Sequence, residues 1–178
     1  MTTSLNKFGF LGLGLLMAAG IAFFFLRKEQ PRLYINEFMT NNSSCCSEAM
    51  TKENAFEDWI EIYNAGSVSV DIGGMYFSQD SLRPLAYRIP VKSPEITSIQ
   101  PGGFLLIWAD GNPDRGVLHL GFKLDQDGEF IGFYDTHGRT IDRLTFGKQN
   151  ENISFGRSSD SGASWKEFLT PTPGTTNR

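Results

Sequence analysis

Three carboxylates in this chain could converge. Glu37 lies in "LYINEFM", and Asp58 and Glu61 lie in "EDWIEIYN", residues Glu57 to Asn64. If the two segments are neighbouring strands, Glu37, Asp58 and Glu61 meet near the segment 40–56. Oxygen ligands of this kind suit Ca²⁺. The plainer reading has Glu61 facing solvent and Asp58 starting the strand. "DQDGE", Asp125 to Glu129, has the look of a second calcium loop, but further spaced ligands are missing and an Asp-Gly turn accounts for it. Calcium is the one cofactor these residues suggest. Of the two histidines, His119 in "VLHLGF" is expected to cap a strand end or face solvent, and His137 in "DTHGR" is a turn residue. No HExxH, no GxSxG and no phosphate-binding glycine loop follows the apolar N-terminal segment. The expectation is a protein without catalytic residues.

Cys45 and Cys46 are the two cysteines, and they are adjacent. They cannot staple distant segments, and no further Cys or His sits nearby at metal-ligand spacing. Two free thiols in a loop are expected, with a strained vicinal bridge as the alternative.

The elements that position these groups read as short strands. In "DWIEIYN", side chains alternate between two faces, so Ile60 and Ile62 share one and Trp59, Glu61 and Tyr63 share the other. The isoleucines are expected in the core. Trp59, Tyr63, Tyr76 and Phe77 form an exposed aromatic patch, or else one or two of them are core. "FLLIWA" is apolar at every position and predicts a central strand covered on both faces. "FKLDQDGEFIGFYDTHGRTIDRLTF" predicts three strands and two hairpins, turning at Asp127-Gly128 and His137-Gly138. "VSVDI", "MYFS", "YRIP", "ISFGR" and "SWKEF" supply the rest, and "PTPGTTNR" is a polar tail. About nine short strands and no helix beyond a single turn after residue 32 imply an all-β sandwich.

Ahead of this stands a different composition. Phe8 to Leu26 is a run without charge or proline. As a helix it would span roughly 28 Å at about 1.5 Å per residue, the thickness of a hydrocarbon core. The run is longer than a signal-peptide core, and cleavage near Gly20 would leave Ile21 to Phe25 as an apolar end. The expected organisation is a tail (1–7), an uncleaved transmembrane anchor (8–26), a linker (27–32) and a β domain (33–178). Gly14, Ala18 and Ala22 recur every fourth residue and would allow close helix packing. Arg27, Lys28 and Arg32 follow the anchor, and counted alone they favour a cytoplasmic domain. A short tail before a single early anchor favours export, and an extracytoplasmic domain is expected. The first 32 residues hold four of the 16 basic residues and one of the 20 acidic ones, so 12 basic and 19 acidic residues remain beyond them. That balance excludes a nucleic-acid footprint.

The order of "INEFM", "DWIEIYN", "YRIP", "IQPGGFLLIWADG", "LHLGFKL", "GEFIGFYD", "GRTIDRLTFG", "SFGR" and "PTPG…N" resembles the lamin tail domain. The resemblance runs from about Leu33 to Asn177 and is closest to the bacterial branch, since no coiled-coil rod, nuclear localisation cluster or prenylation cysteine is seen. It implies an immunoglobulin-like sandwich acting as a structural or protein-binding module, and it names no ligand. The expected role is an accessory subunit of a membrane or envelope complex, on a single-pass anchor. The alternative is a surface adhesion or ligand-binding module that uses calcium or glycan.

Overall fold

A computed structural model of the chain describes residues 32–46 and 56–178. The expected anchor, with Gly14, Ala18 and Ala22, lies outside the described residues. No described helix is long and apolar enough to cross a membrane.

The described chain is built almost wholly of strands: β1 (Leu33–Met39), β2 (Trp59–Asn64), β3 (Val70–Asp71), β4 (Tyr76–Ser78), β5 (Tyr87–Arg88), β6 (Ser98–Ile99), β7 (Phe104–Trp108), β8 (Phe130–Tyr134), β9 (Thr140–Thr145), β10 (Ser154–Arg157) and β11 (Trp165–Phe168). One helical turn, Pro94–Thr97, precedes β6. Eleven strands stand where about nine are expected: β3, β5 and β6 have two residues each, and β6, too short to carry a period, has no counterpart among the expected segments. A five-stranded sheet runs in the order β11-β10-β1-β2-β7. A four-stranded sheet runs β5-β4-β8-β9, and β3 pairs with β6. The sheets form a sandwich-like, all-β arrangement. Its core takes Ile35, Phe38, Ile60, Ile62 and Ile107 from the first sheet and Phe77, Ile131 and Phe133 from the second. Phe77 stacks on Phe133 at 4.6 Å between centroids.

A β-bulge in β1 arranges the outer face of the first sheet. Ile35 pairs with Ile62 and Phe38 with Ile60, so β1 carries one residue more than β2 between these pairs. Strict alternation would put Ile35 and Phe38 on opposite faces. The extra residue brings both into the core and turns Asn36 and Glu37 outward together.

Two expectations about strands are corrected. "FLLIWA" gives β7, which is the edge of the five-stranded sheet rather than a central strand, and Phe104, Leu105 and Leu106 are half-buried. Its run is apolar because both faces find cover: Leu105 packs on the main core, and Leu106 on a smaller cluster of Met39, Trp59 and Trp108. Among the described residues the free edge is tied at Trp108, whose N–H donates to Leu118 O and whose carbonyl accepts from Leu120 N–H, both at 2.8 Å. The three strands expected from Phe122 to Phe146 are two, β8 and β9, joined at His137-Gly138. Lys123 contributes a single bridge to Asp110 instead of a strand. Asp125–Gly128 is a turn closed by Gly128 N–H on Asp125 O.

Arg157 ties the sheets together. It lies on β10, and its guanidinium donates to Asp142 Oδ2 on β9 at 2.7 Å and to Ile35 O on β1 at 2.9 Å. Asp142 Oδ2 also accepts Ile35 N–H. The guanidinium stacks on the rings of Tyr34 and Trp165.

Candidate functional site

Glu37 and Glu61 face each other directly across β1 and β2. Each is 0% exposed, so the solvent-facing position expected for Glu61 is corrected. Charges opposed in a strand pair repel, and a buried carboxylate needs donors. The donors come from the sheet and from the C-terminal segment, expected as a polar tail. Thr172 gives Glu37 its N–H at 3.0 Å and its hydroxyl at 2.6 Å, and Ser154 Oγ adds a third, very short bond. Gly174 N–H donates to Glu61 Oε2 at 2.6 Å, and Asn36 Nδ2 donates to Oε1 at 3.1 Å. Farther along, Asn177 Nδ2 donates to Arg157 O at 2.7 Å and to Asn36 O at 3.2 Å. Asp160 accepts from Asn177 N–H and Asn36 Nδ2.

Two glycines make the docking possible. A Cβ on Gly156 would stand 3.0 Å from Glu37 Cγ and 3.1 Å from Asn177 Nδ2, inside ordinary contact. Gly174 turns the segment at φ +74°, a region side-chain-bearing residues avoid. Among the described residues no cationic group pairs with either glutamate. Burial pushes the Glu61 carboxyl up to about 7, and the charges of Glu37 and Asp160 add to the rise. The bonds from Gly174 and Asn36 oppose it.

Asp58, the third candidate, is placed elsewhere. It borders an open depression of about 520 Å³, lined also by Asn42, Phe56, Glu57, Lys123 and Asp125. Burial pushes its carboxyl up to about 6, against backbone bonds from Asn42, Leu124 and Asn41 and the charge of Lys123. Among the described residues no group of three or more His, Cys, Asp or Glu has the geometry to hold a metal ion. Asp125 Oδ1 accepts Asp127 N–H, and Glu129 Oε1 accepts Asp125 N–H, as in a capped turn.

His119 is buried, contrary to a solvent-facing reading. Its Nδ1 lies 2.8 Å from Asp110 Oδ2. That oxygen also accepts Arg115 NH1 at 2.7 Å, and the same nitrogen reaches Glu57 at 3.0 Å. The network joins the loop after β7 to the start of β2. His137 sits in the β8–β9 turn, as expected.

The smaller cluster on the outer face also holds the cysteines. The expectation of free thiols is corrected: Cys45 and Cys46 are joined in a disulfide. The Asn42 side chain brackets this turn, accepting Cys45 N–H at 2.9 Å and donating to Cys45 O at 2.7 Å. The bridged pair packs on Met39, Trp59 and Trp108. No exposed aromatic patch forms from the four candidates, since Trp59 and Phe77 are fully buried and Tyr63 and Tyr76 half-buried on different sheets.

Glu37 and Glu61 are legible in the sequence as candidates, but their partners Thr172 and Gly174, and Asn177 beside them, are not. The signal was "PTPG…N", which carried the resemblance without revealing its chemistry.

Comparison with known proteins gives one positive finding. The sequence pattern of the lamin tail domain matches residues 27–148. No curated protein and no solved structure matches. The matched span stops before β10, β11 and the C-terminal segment, although β10 pairs with β1 inside the sheet. It covers well over half of the chain and includes the strand pair that bears Glu37 and Glu61, so the chain belongs to the lamin tail domain family.

Proposed function

We propose that this chain is a single-pass membrane protein whose lamin-tail sandwich stands outside the cytoplasm, in the periplasm or at the cell surface. There it is an accessory, protein-interacting subunit of a membrane or envelope complex. The observation that carries the reading is the coupling of two parts: a member of a family of immunoglobulin-like interaction modules, and the charge-free run Phe8 to Leu26 ahead of it. The acid–base groups fit a binding role better than catalysis. Glu37, Glu61, Asp110, Asp142 and Arg157 are each tied to internal partners. The acidic excess beyond residue 32 argues for a protein partner over nucleic acid.

The test is native purification in mild detergent followed by mass spectrometry. Partners at fixed stoichiometry are expected, with the chain remaining in the membrane after alkaline carbonate washing. Release by carbonate would remove the anchor. Purification as a lone species would favour an adhesion module instead.

A further inference from the structure

The outer face of β1 and β2 brings two buried carboxylates together, with no cation among the described residues to balance them. Glu37 and Glu61 are register partners, and Asp160 stands beside them, sharing Asn36 Nδ2 with Glu61. The charged groups of the surrounding elements point elsewhere. On β10, Arg157 turns its guanidinium to Asp142. On β11, Lys166 donates to Arg178 O and lies over the Phe168 ring. On β7, the residue paired with Glu61 is Leu106. The docked stretch Thr172 to Asn177 contains no charged residue. Glu61 is buried beside buried Glu37 and half-buried Asp160, with no base next to it among the described residues, so keeping its carboxyl ionised is costly. Every bond from the C-terminal stretch to the glutamates is donated by Thr172 or Gly174.

We propose that the Glu61 carboxyl, opposed by Glu37 across the strand pair, holds a proton and acts as a latch: with the proton held, the segment Thr172–Asn177 is docked on the sheet, and loss of the proton releases it. The segment covers the carboxylates and contributes to their burial. When it leaves, water reaches them and the doubly ionised pair is tolerated. Proton affinity is therefore higher in the docked state than in the released one, and rising pH must favour release. The rise of Glu61 to about 7, caused mainly by burial, puts the transition around neutral pH. One proton with a shift of this size changes the docking equilibrium by about tenfold to a hundredfold between pH 5 and pH 8.

The experiment is hydrogen exchange with mass spectrometry on the full chain in detergent, from pH 5 to pH 8.5, corrected for the intrinsic rate. Two peptides are compared, one carrying Thr172 to Asn177 and one carrying β2. Protection of the first is expected to fall by tenfold or more as pH rises, while that of β2 holds. In Glu61→Gln and in Glu37→Gln the fall should flatten. Constant protection of the C-terminal peptide in the native chain would overturn the latch, as would loss of both peptides together. An unchanged slope in both variants would also overturn it. If one variant does not fold, the native series and the other variant still decide.

Discussion

The two faces of the β1–β2 pair are both buried, yet they are built on opposite principles. The inner face is apolar: Ile35, Phe38, Ile60 and Ile62 meet the second sheet and need no partner beyond close packing. The outer face carries Asn36, Glu37 and Glu61, which are equally inaccessible and are satisfied by donors from the sheet and from a remote segment laid against it. The inner face is stabilised by area removed from water. The polar group on the outer face, beside the Met39–Trp59–Trp108 cluster, contributes little net energy while satisfied and costs heavily when broken, since each orphaned group keeps its desolvation penalty. This part of the domain therefore depends on residues more than a hundred positions away.

The comparison breaks most sharply on the inner face. Ile60→Ala should cost about 3–4 kcal/mol in denaturant unfolding of a chain starting at Leu33, the range for a buried large-to-small change. A loss below about 1 kcal/mol would mean the inner face is not the core. On the outer face, Glu61→Ala leaves Gly174 N–H and Asn36 Nδ2 without their acceptor. It should cost about 1–3 kcal/mol, more than a solvent-facing glutamate could, and added calcium should not change the melting temperature of the native domain. Unchanged stability in Glu61→Ala would return this residue to the surface.

The pH profile sharpens the same contrast. Glu61 has a folded-state value of about 7 against an ordinary 4.5, and Asp58 about 6 against 3.8. Both are raised, so their protons stabilise the folded state fully below the ordinary values. That stabilisation is lost as pH rises through the folded ones. Stability should fall by roughly 1–3 kcal/mol between pH 5 and pH 8. Glu61→Gln should remove much of the slope, while Ile60→Val should leave the slope intact. A profile that rises over this window would refute the assignment.

Smaller effects follow at the margin of the sheet. Leu106→Ala should cost about 1–2 kcal/mol, because Leu106 is half-buried on an edge strand and packs on the small Met39–Trp59–Trp108 cluster. Leu82, 88% exposed, should tolerate change to serine within about 0.5 kcal/mol. A larger loss at Leu82 would reveal cover that its position does not suggest.

Much of the architecture was open to reading from local pattern. The period of two in "DWIEIYN" identified β2 and put Ile60 and Ile62 inside, because a strand half-buried in a core must alternate. His137-Gly138 identified the β8–β9 hairpin, because Gly138 takes φ +78° there. The motif order identified the family. The failures share one cause, that they depend on contacts distant in sequence. Alternation along "WIEIY" cannot tell whether the second face meets water or another segment. That pattern alone leaves Glu61 exposed, whereas in the fold Glu61 is buried and accepts Gly174 N–H from the C-terminal segment. The apolar run of β7 cannot distinguish a central strand from an edge strand with cover on both faces. Neither β1 alone nor β2 alone reveals the bulge at Asn36, which exists only in their pairing. Local pattern was enough for most of the strands and for the inward isoleucines of β2, since these follow from neighbours one to four positions apart, and the order of motifs along the chain was enough for the family. Tertiary structure alone decided that Glu37 and Glu61 are a buried pair held by the C-terminal segment, because a carboxylate's protonation and partners depend on what the folded chain brings within about 3 Å of it.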